Sequence, residues 1–101
     1  MIKKQFLKSK PVCKVTFTVP AEAVAEAEKV QLVGEFSSWL SEPIDMKKQK
    51  DGSFRATVDL ETGKDYEFRY YVNGESFTND NEADAYRSSG VSYEENSVLS
   101  L

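Results

Sequence analysis

Apolar and polar residues alternate with a period of two along most of this chain. Cys13, Val15, Phe17 and Val19 are apolar, and Lys14, Thr16 and Thr18 between them are polar. Val30, Leu32 and Phe36 continue the pattern, with Gln31 and Glu35 interleaved. Phe54, Ala56, Val58 and Leu60 alternate with Ser53, Arg55, Thr57 and Asp59. Tyr66, Phe68, Tyr70 and Val72 alternate with Glu67, Arg69, Tyr71 and Asn73. Successive side chains of a strand point to opposite faces, so each stretch predicts a strand with one buried and one wet face. That is the antiparallel signature.

The turn residues agree. Asp51-Gly52 between Ile44–Gln49 and Ser53–Leu60 is a strong hairpin signal. Glu61–Asp65 with Gly63 predicts a looser hairpin, and Asn73-Gly74 a third, into Ser76–Thr78. Val98–Leu101 closes the pattern. About seven short strands at this spacing predict an all-β, immunoglobulin-like antiparallel sandwich. Two segments are not strand. Pro20–Lys29 has helix-forming composition but is too short to be stable alone, and reads as a connector of one or two turns. Residues 79–95 read as a long acidic loop, of a length that is usually functional or disordered.

With 101 residues there is room for one domain and little more. The expected division is a basic N-terminal arm over residues 1–11 and a single sandwich over 12–101. A domain this small buries about 60–65% of its unfolded surface, so a ligand site is expected on the surface rather than in an enclosed cleft. The net charge of −4 argues against nucleic acid or an anionic membrane as partner. Lys3, Lys4, Lys8, Lys10 and Lys14 make the start basic, either a solvated tail or an arm that docks on a partner. No apolar run approaches the about 18 residues of a membrane span, and the start lacks the apolar stretch of a secretory signal. One cysteine cannot form an internal disulfide, which makes the cytoplasm the expected compartment.

Catalytic chemistry is sparse. There is no histidine, which removes the commonest general base and zinc ligand. Cys13 falls on the apolar face of its strand, as an inert buried thiol does. No phosphate loop or nucleophile elbow occurs. The 17 carboxylates lie in polar turns and loops, where nothing raises a pKa or excludes water. Asp80-Asn81-Glu82 offers oxygens but not the spacing of a calcium loop. The chain is read as a non-enzyme that needs no cofactor.

Trp39 is the residue that points to a ligand. It follows a strand and sits among small polar residues, as either a core ring or a surface ring. Surface rings suit sugars, because one sugar face is lined with C–H bonds that stack on a flat apolar surface. About 100 Å² of contact would contribute about 2–3 kcal/mol, so several groups must combine to reach useful affinity.

The run VQLVGEFSSW, the DGSF hairpin, YEFRYYVNG and the closing ENSVLSL resemble the family-48 carbohydrate-binding module. This is the early-set sandwich of the isoamylase N-terminal type, found on branching and debranching enzymes of glycoside hydrolase family 13. The glycogen-binding domain of the AMP-activated protein kinase beta subunit has the same pattern. The resemblance covers about Lys29 to Leu101 and implies non-catalytic binding of α-1,4-glucan, glycogen-like or starch-like. It implies that Trp39 packs on glucose, that Arg69 stands where the family has a hydroxyl-binding lysine, and that Asn96 contributes a hydrogen bond. Phe77 stands one residue from the family's second tryptophan. Arginine for lysine changes the donor geometry, and phenylalanine for tryptophan shrinks the ring. Tyr71 shares parity with Arg69, as part of the site or as a cross-strand surface pair. Tyr86 and Tyr93 read as latches for the acidic loop. The rival reading is a protein-interaction or regulatory module of a glycan-handling complex whose sugar site has decayed. Its support is a module standing without a catalytic domain, the altered platform and the acidic loop.

Overall fold

The computed structural model describes residues 2–24, 27–88 and 95–101. Ten strands are present among them: β1 (Ile2–Phe6), β2 (Val12–Val19), β3 (Val30–Gly34), β4 (Ile44–Asp45), β5 (Lys47–Lys48), β6 (Phe54–Glu61), β7 (Asp65–Val72), β8 (Ser76–Thr78), β9 (Ala85–Ser88) and β10 (Glu95–Ser100). They form two antiparallel sheets. One has the order β1-β2-β6-β5; the other runs β4-β3-β7-β10-β9, with β8 paired to β7. The chain is the expected all-β sandwich, with short strands in excess of the seven read from periodicity.

Alternation places the core. Across β2 and β6, Cys13 faces Leu60, Val15 faces Val58, Phe17 faces Ala56 and Val19 faces Phe54, so the apolar parity of the two strands is in register. In the second sheet Leu32 faces Tyr70 and Gly34 faces Phe68. The sheets meet through Phe17 and Phe68, whose rings stand edge to face at 5.1 Å, a favoured aromatic geometry.

Connections differ from expectation at three places. Glu61–Asp65 is not a hairpin, because β6 and β7 belong to different sheets; the turn at Gly63 (φ 82°) carries the chain across the sandwich. Residues 44–48 likewise change sheets, β4 pairing with β3 and β5 with β6, about the buried Met46. The acidic segment holds a strand, β9, paired to β10. In the basic arm, Ile2–Phe6 is an edge strand along β2. Lys4 ties it to the second sheet by donating to Asp84 Oδ2 at 2.7 Å and to the Ser100 carbonyl at 3.0 Å. Among its described residues, the connector after β2 contains a 3₁₀ turn at Ala21–Ala23.

Candidate ligand-binding face

The loop that carries Trp39 begins at Gly34. A Cβ there would stand 2.6 Å from the Glu67 carbonyl oxygen and 2.9 Å from Phe68 Cβ. Only glycine lets β3 lie this close to β7. Ser37 is buried, and its Oγ accepts from Gly34 N–H at 3.0 Å while reaching the Gly34 and Trp39 carbonyls at 3.1 and 3.0 Å. This clamp holds Ser38 and Trp39 in left-handed backbone (φ 50° and 54°). Such geometry costs about 1–2 kcal/mol per non-glycine residue and tends to persist at functional positions. Trp39 is half-buried and lies outside the apolar core cluster, and the adjacent Leu40 is 50% exposed.

The outer face of β7 and its neighbours β8 and β10 carries the remaining candidates. Parity puts Glu67, Arg69 and Tyr71 on one side of β7. Asn73 and Gly74 both take positive φ (52° and 66°), and Glu75 N–H donates to the Val72 carbonyl at 3.0 Å. This primed turn folds β8 back and sets Phe77 opposite Tyr71. Their rings stack with centroids 4.7 Å apart and 30° between planes. The Arg69 guanidinium carbon is 5.7 Å from the Phe77 centroid, and Arg69 Nε donates to Asn96 Oδ1 at 2.6 Å. Asn96 Nδ2 donates to Glu67 Oε1 at 3.1 Å. Tyr71 OH donates to the Gly74 carbonyl at 2.7 Å.

Four of the five candidates, Arg69, Asn96, Phe77 and Tyr71, are therefore one contiguous group. Among the described residues Trp39 makes no ring pair with Phe77 or Tyr71. Arg69, Thr78, Asn79 and Glu95 line a shallow hollow with Phe77, whose own surface is 43% exposed. One expectation changes here. Alternation predicts a wet outer face, yet Val33, Val98, Arg69 and Asn96 are all buried. The burial of Arg69 and Asn96 is tolerated in part because they are hydrogen-bonded to each other, and Asn96 to Glu67 as well. Among the described residues the Asn96 side chain accepts from Arg69 and donates to Glu67. Glu67 escaped sequence reasoning, although its parity with Arg69 was a usable signal.

Beneath the β7–β8 hairpin, Tyr70 OH donates to Asp80 Oδ2 at 2.7 Å, and Asp80 Oδ1 accepts from Glu82 N–H at 2.7 Å. Burial pushes the Tyr70 hydroxyl pKa far up, and the Asp80 carboxylate adds to this, so Tyr70 stays a neutral donor. The Asp80 oxygens thus serve the turn, and the Asp80 N–H donates to Ser97 Oγ while Tyr86 OH latches onto the Asp80 carbonyl. Tyr93, expected as a second latch, lies outside the described residues.

Residues 22–98 match the family described as the glycogen recognition site of AMP-activated protein kinase. No curated protein matches the chain. Among solved structures, the chain is similar to the enterobactin esterase FES from Shigella flexneri, with a TM-score of 0.73 at 12% identity. The similarity covers 99% of this chain and 32% of that one, so the chain spans about a third of the esterase, and the likeness is one of fold alone.

Proposed function

We propose, from the premise that this chain belongs to the family of the glycogen recognition site of AMP-activated protein kinase, that it is a non-catalytic cytoplasmic module binding α-1,4-linked glucan of glycogen or starch type. Trp39 and Phe77 stack on glucose units. Tyr71 backs Phe77, and Arg69 donates to sugar hydroxyls at the edge of the hollow. Asn96 orients Arg69 and, among the described residues, has one N–H left for the ligand. The observation that carries this reading is the Tyr71–Phe77–Arg69 group, an exposed ring supported from the neighbouring strand and flanked by a fixed multi-donor side chain. Rings give sugar contact without sequence-like specificity, while a fixed guanidinium supplies direction.

The experiment is a titration with β-cyclodextrin and with glycogen, followed by the fluorescence of Trp39, the one tryptophan. Saturable change is expected with both. No change, and no retention on immobilised glucan at millimolar concentration, would remove the reading.

A second reading has one observation in its favour. Phe6 and Leu7 are 57% and 38% exposed beside Lys8 and Lys10, at the end of the edge strand β1. Such an edge suits docking on a glycan-handling enzyme, for example one of glycoside hydrolase family 13. Retained enzyme binding with no glucan binding would favour it.

A further inference from the structure

We infer that Glu67 positions both halves of the platform, in a role that rests on the sugar-binding reading above, and that Asn96 acts mainly as its intermediary. Past the end of β3 at Gly34, β7 has no ladder partner on that side among the described residues. Glu35 supplies one with its side chain, Oε1 accepting the Glu67 backbone N–H at 2.7 Å. Glu35 opens the 3₁₀ turn that leads into the turn of Trp39. On the other side, the Glu67 carboxylate accepts from Asn96 Nδ2, Asn96 Oδ1 accepts from Arg69 Nε, and Arg69 lies over Phe77. One residue thus holds the Trp39 loop through its backbone and the Arg69–Phe77 group through its side chain.

The order of donors and acceptors makes this chain directional. A carboxylate only accepts and Arg69 Nε–H only donates, so the Asn96 amide has one orientation that satisfies both. That orientation aims the Arg69 Nε–H, since Asn96 and Arg69 are both buried and an unmade bond there is costly. Glu67 is a positioning residue and touches no sugar itself.

Exchanging the two functional groups tests the role. Asn96→Asp sets two acceptor-only carboxylates against each other where a bond of 3.1 Å stood. Adding Glu67→Gln restores the bond in the reverse direction, because Gln at 67 donates to Asp at 96, which still accepts from Arg69. The double variant also keeps the net charge and nearly the volume of the original pair. Two readouts are taken on the whole chain: β-cyclodextrin affinity from Trp39 fluorescence, and hydrogen exchange of the Arg69 Nε–H by NMR. Asn96→Asp and Glu67→Ala are each expected to weaken binding about tenfold and to speed that exchange. Glu67→Gln/Asn96→Asp is expected to return affinity to within about threefold and to slow the exchange again. A double variant as weak and as exchange-labile as Asn96→Asp alone overturns the positioning role. If the unaltered chain binds no β-cyclodextrin, the sugar reading falls, while the exchange pattern still decides what Glu67 does to Arg69.

Discussion

Tyr71 and Phe77 face each other across the β7–β8 pair with their rings nearly parallel, 4.7 Å between centroids. Tyr71 therefore supports the ring that the ligand would meet, and its hydroxyl is bound to the turn that makes the pairing possible. Replacing Phe77 by Trp enlarges the exposed ring without removing that support. Phe77→Trp is expected to tighten β-cyclodextrin binding by up to about 1 kcal/mol. Tyr71→Ala is expected to weaken it by about 0.5–1.5 kcal/mol through loss of the stacked pair. Unchanged affinity with a lowered melting temperature for Phe77→Trp would make Phe77 a packing residue only.

Trp39→Ala should weaken glucan binding about 30- to 150-fold, the loss of about 2–3 kcal/mol of stacking. Its effect on stability should be modest, because the ring is half-buried and outside the core cluster. Gly34→Ala provides the contrast. The added methyl meets backbone at 2.6 Å, so a loss of about 2–3 kcal/mol in urea unfolding is expected. Equal stability losses from the two changes would mean that Trp39 is a core residue.

Glucan is uncharged, so its affinity should change little between low salt and roughly 0.5 M, where surface charges are screened. A partner docking through the basic edge strand should be released over the same range. Isothermal titration at the two salt concentrations separates the cases, and a steep salt dependence of the glucan itself would contradict the stacking platform.

Stability should respond to acid through Asp84. Burial acts to raise its pKa, but the Lys4 ammonium at 2.7 Å and the Ser100 N–H at 2.8 Å outweigh this and hold it below the ordinary 3.8. A folded pKa below the unfolded one contributes stability above the unfolded value, and this is lost as pH falls through the folded value. Lys4→Gln should therefore lower the melting temperature at pH 7 and converge on the unaltered chain as pH falls below the folded-state value, where the carboxyl is protonated in both states. The size should be modest, since the pair is partly exposed. A difference that does not shrink as pH falls below 3.8 would assign the effect to packing of Lys4 instead.

Local alternation was enough to determine the strands of the core, because a period of two puts Cys13, Val15, Phe17 and Val19 on one face whatever their partners are. Asn73-Gly74 likewise determined its own turn, since few residue pairs accept positive φ twice. The parity of Arg69 and Tyr71 was legible for the same reason. Which strands pair was not. Gly63 permits either a hairpin or a crossing, and only burial of Leu60 and Phe68 in facing sheets selects the crossing. The strand at Ala85–Ser88 was hidden because an edge strand needs no apolar face, and its four residues are exposed. Within the candidate site, the burial of Arg69 and Asn96, the stacking of Tyr71 on Phe77 and the place of Glu67 depend on residues brought together from up to 32 positions apart. Pairwise geometry of that kind has no local period, so the tertiary structure alone decides it.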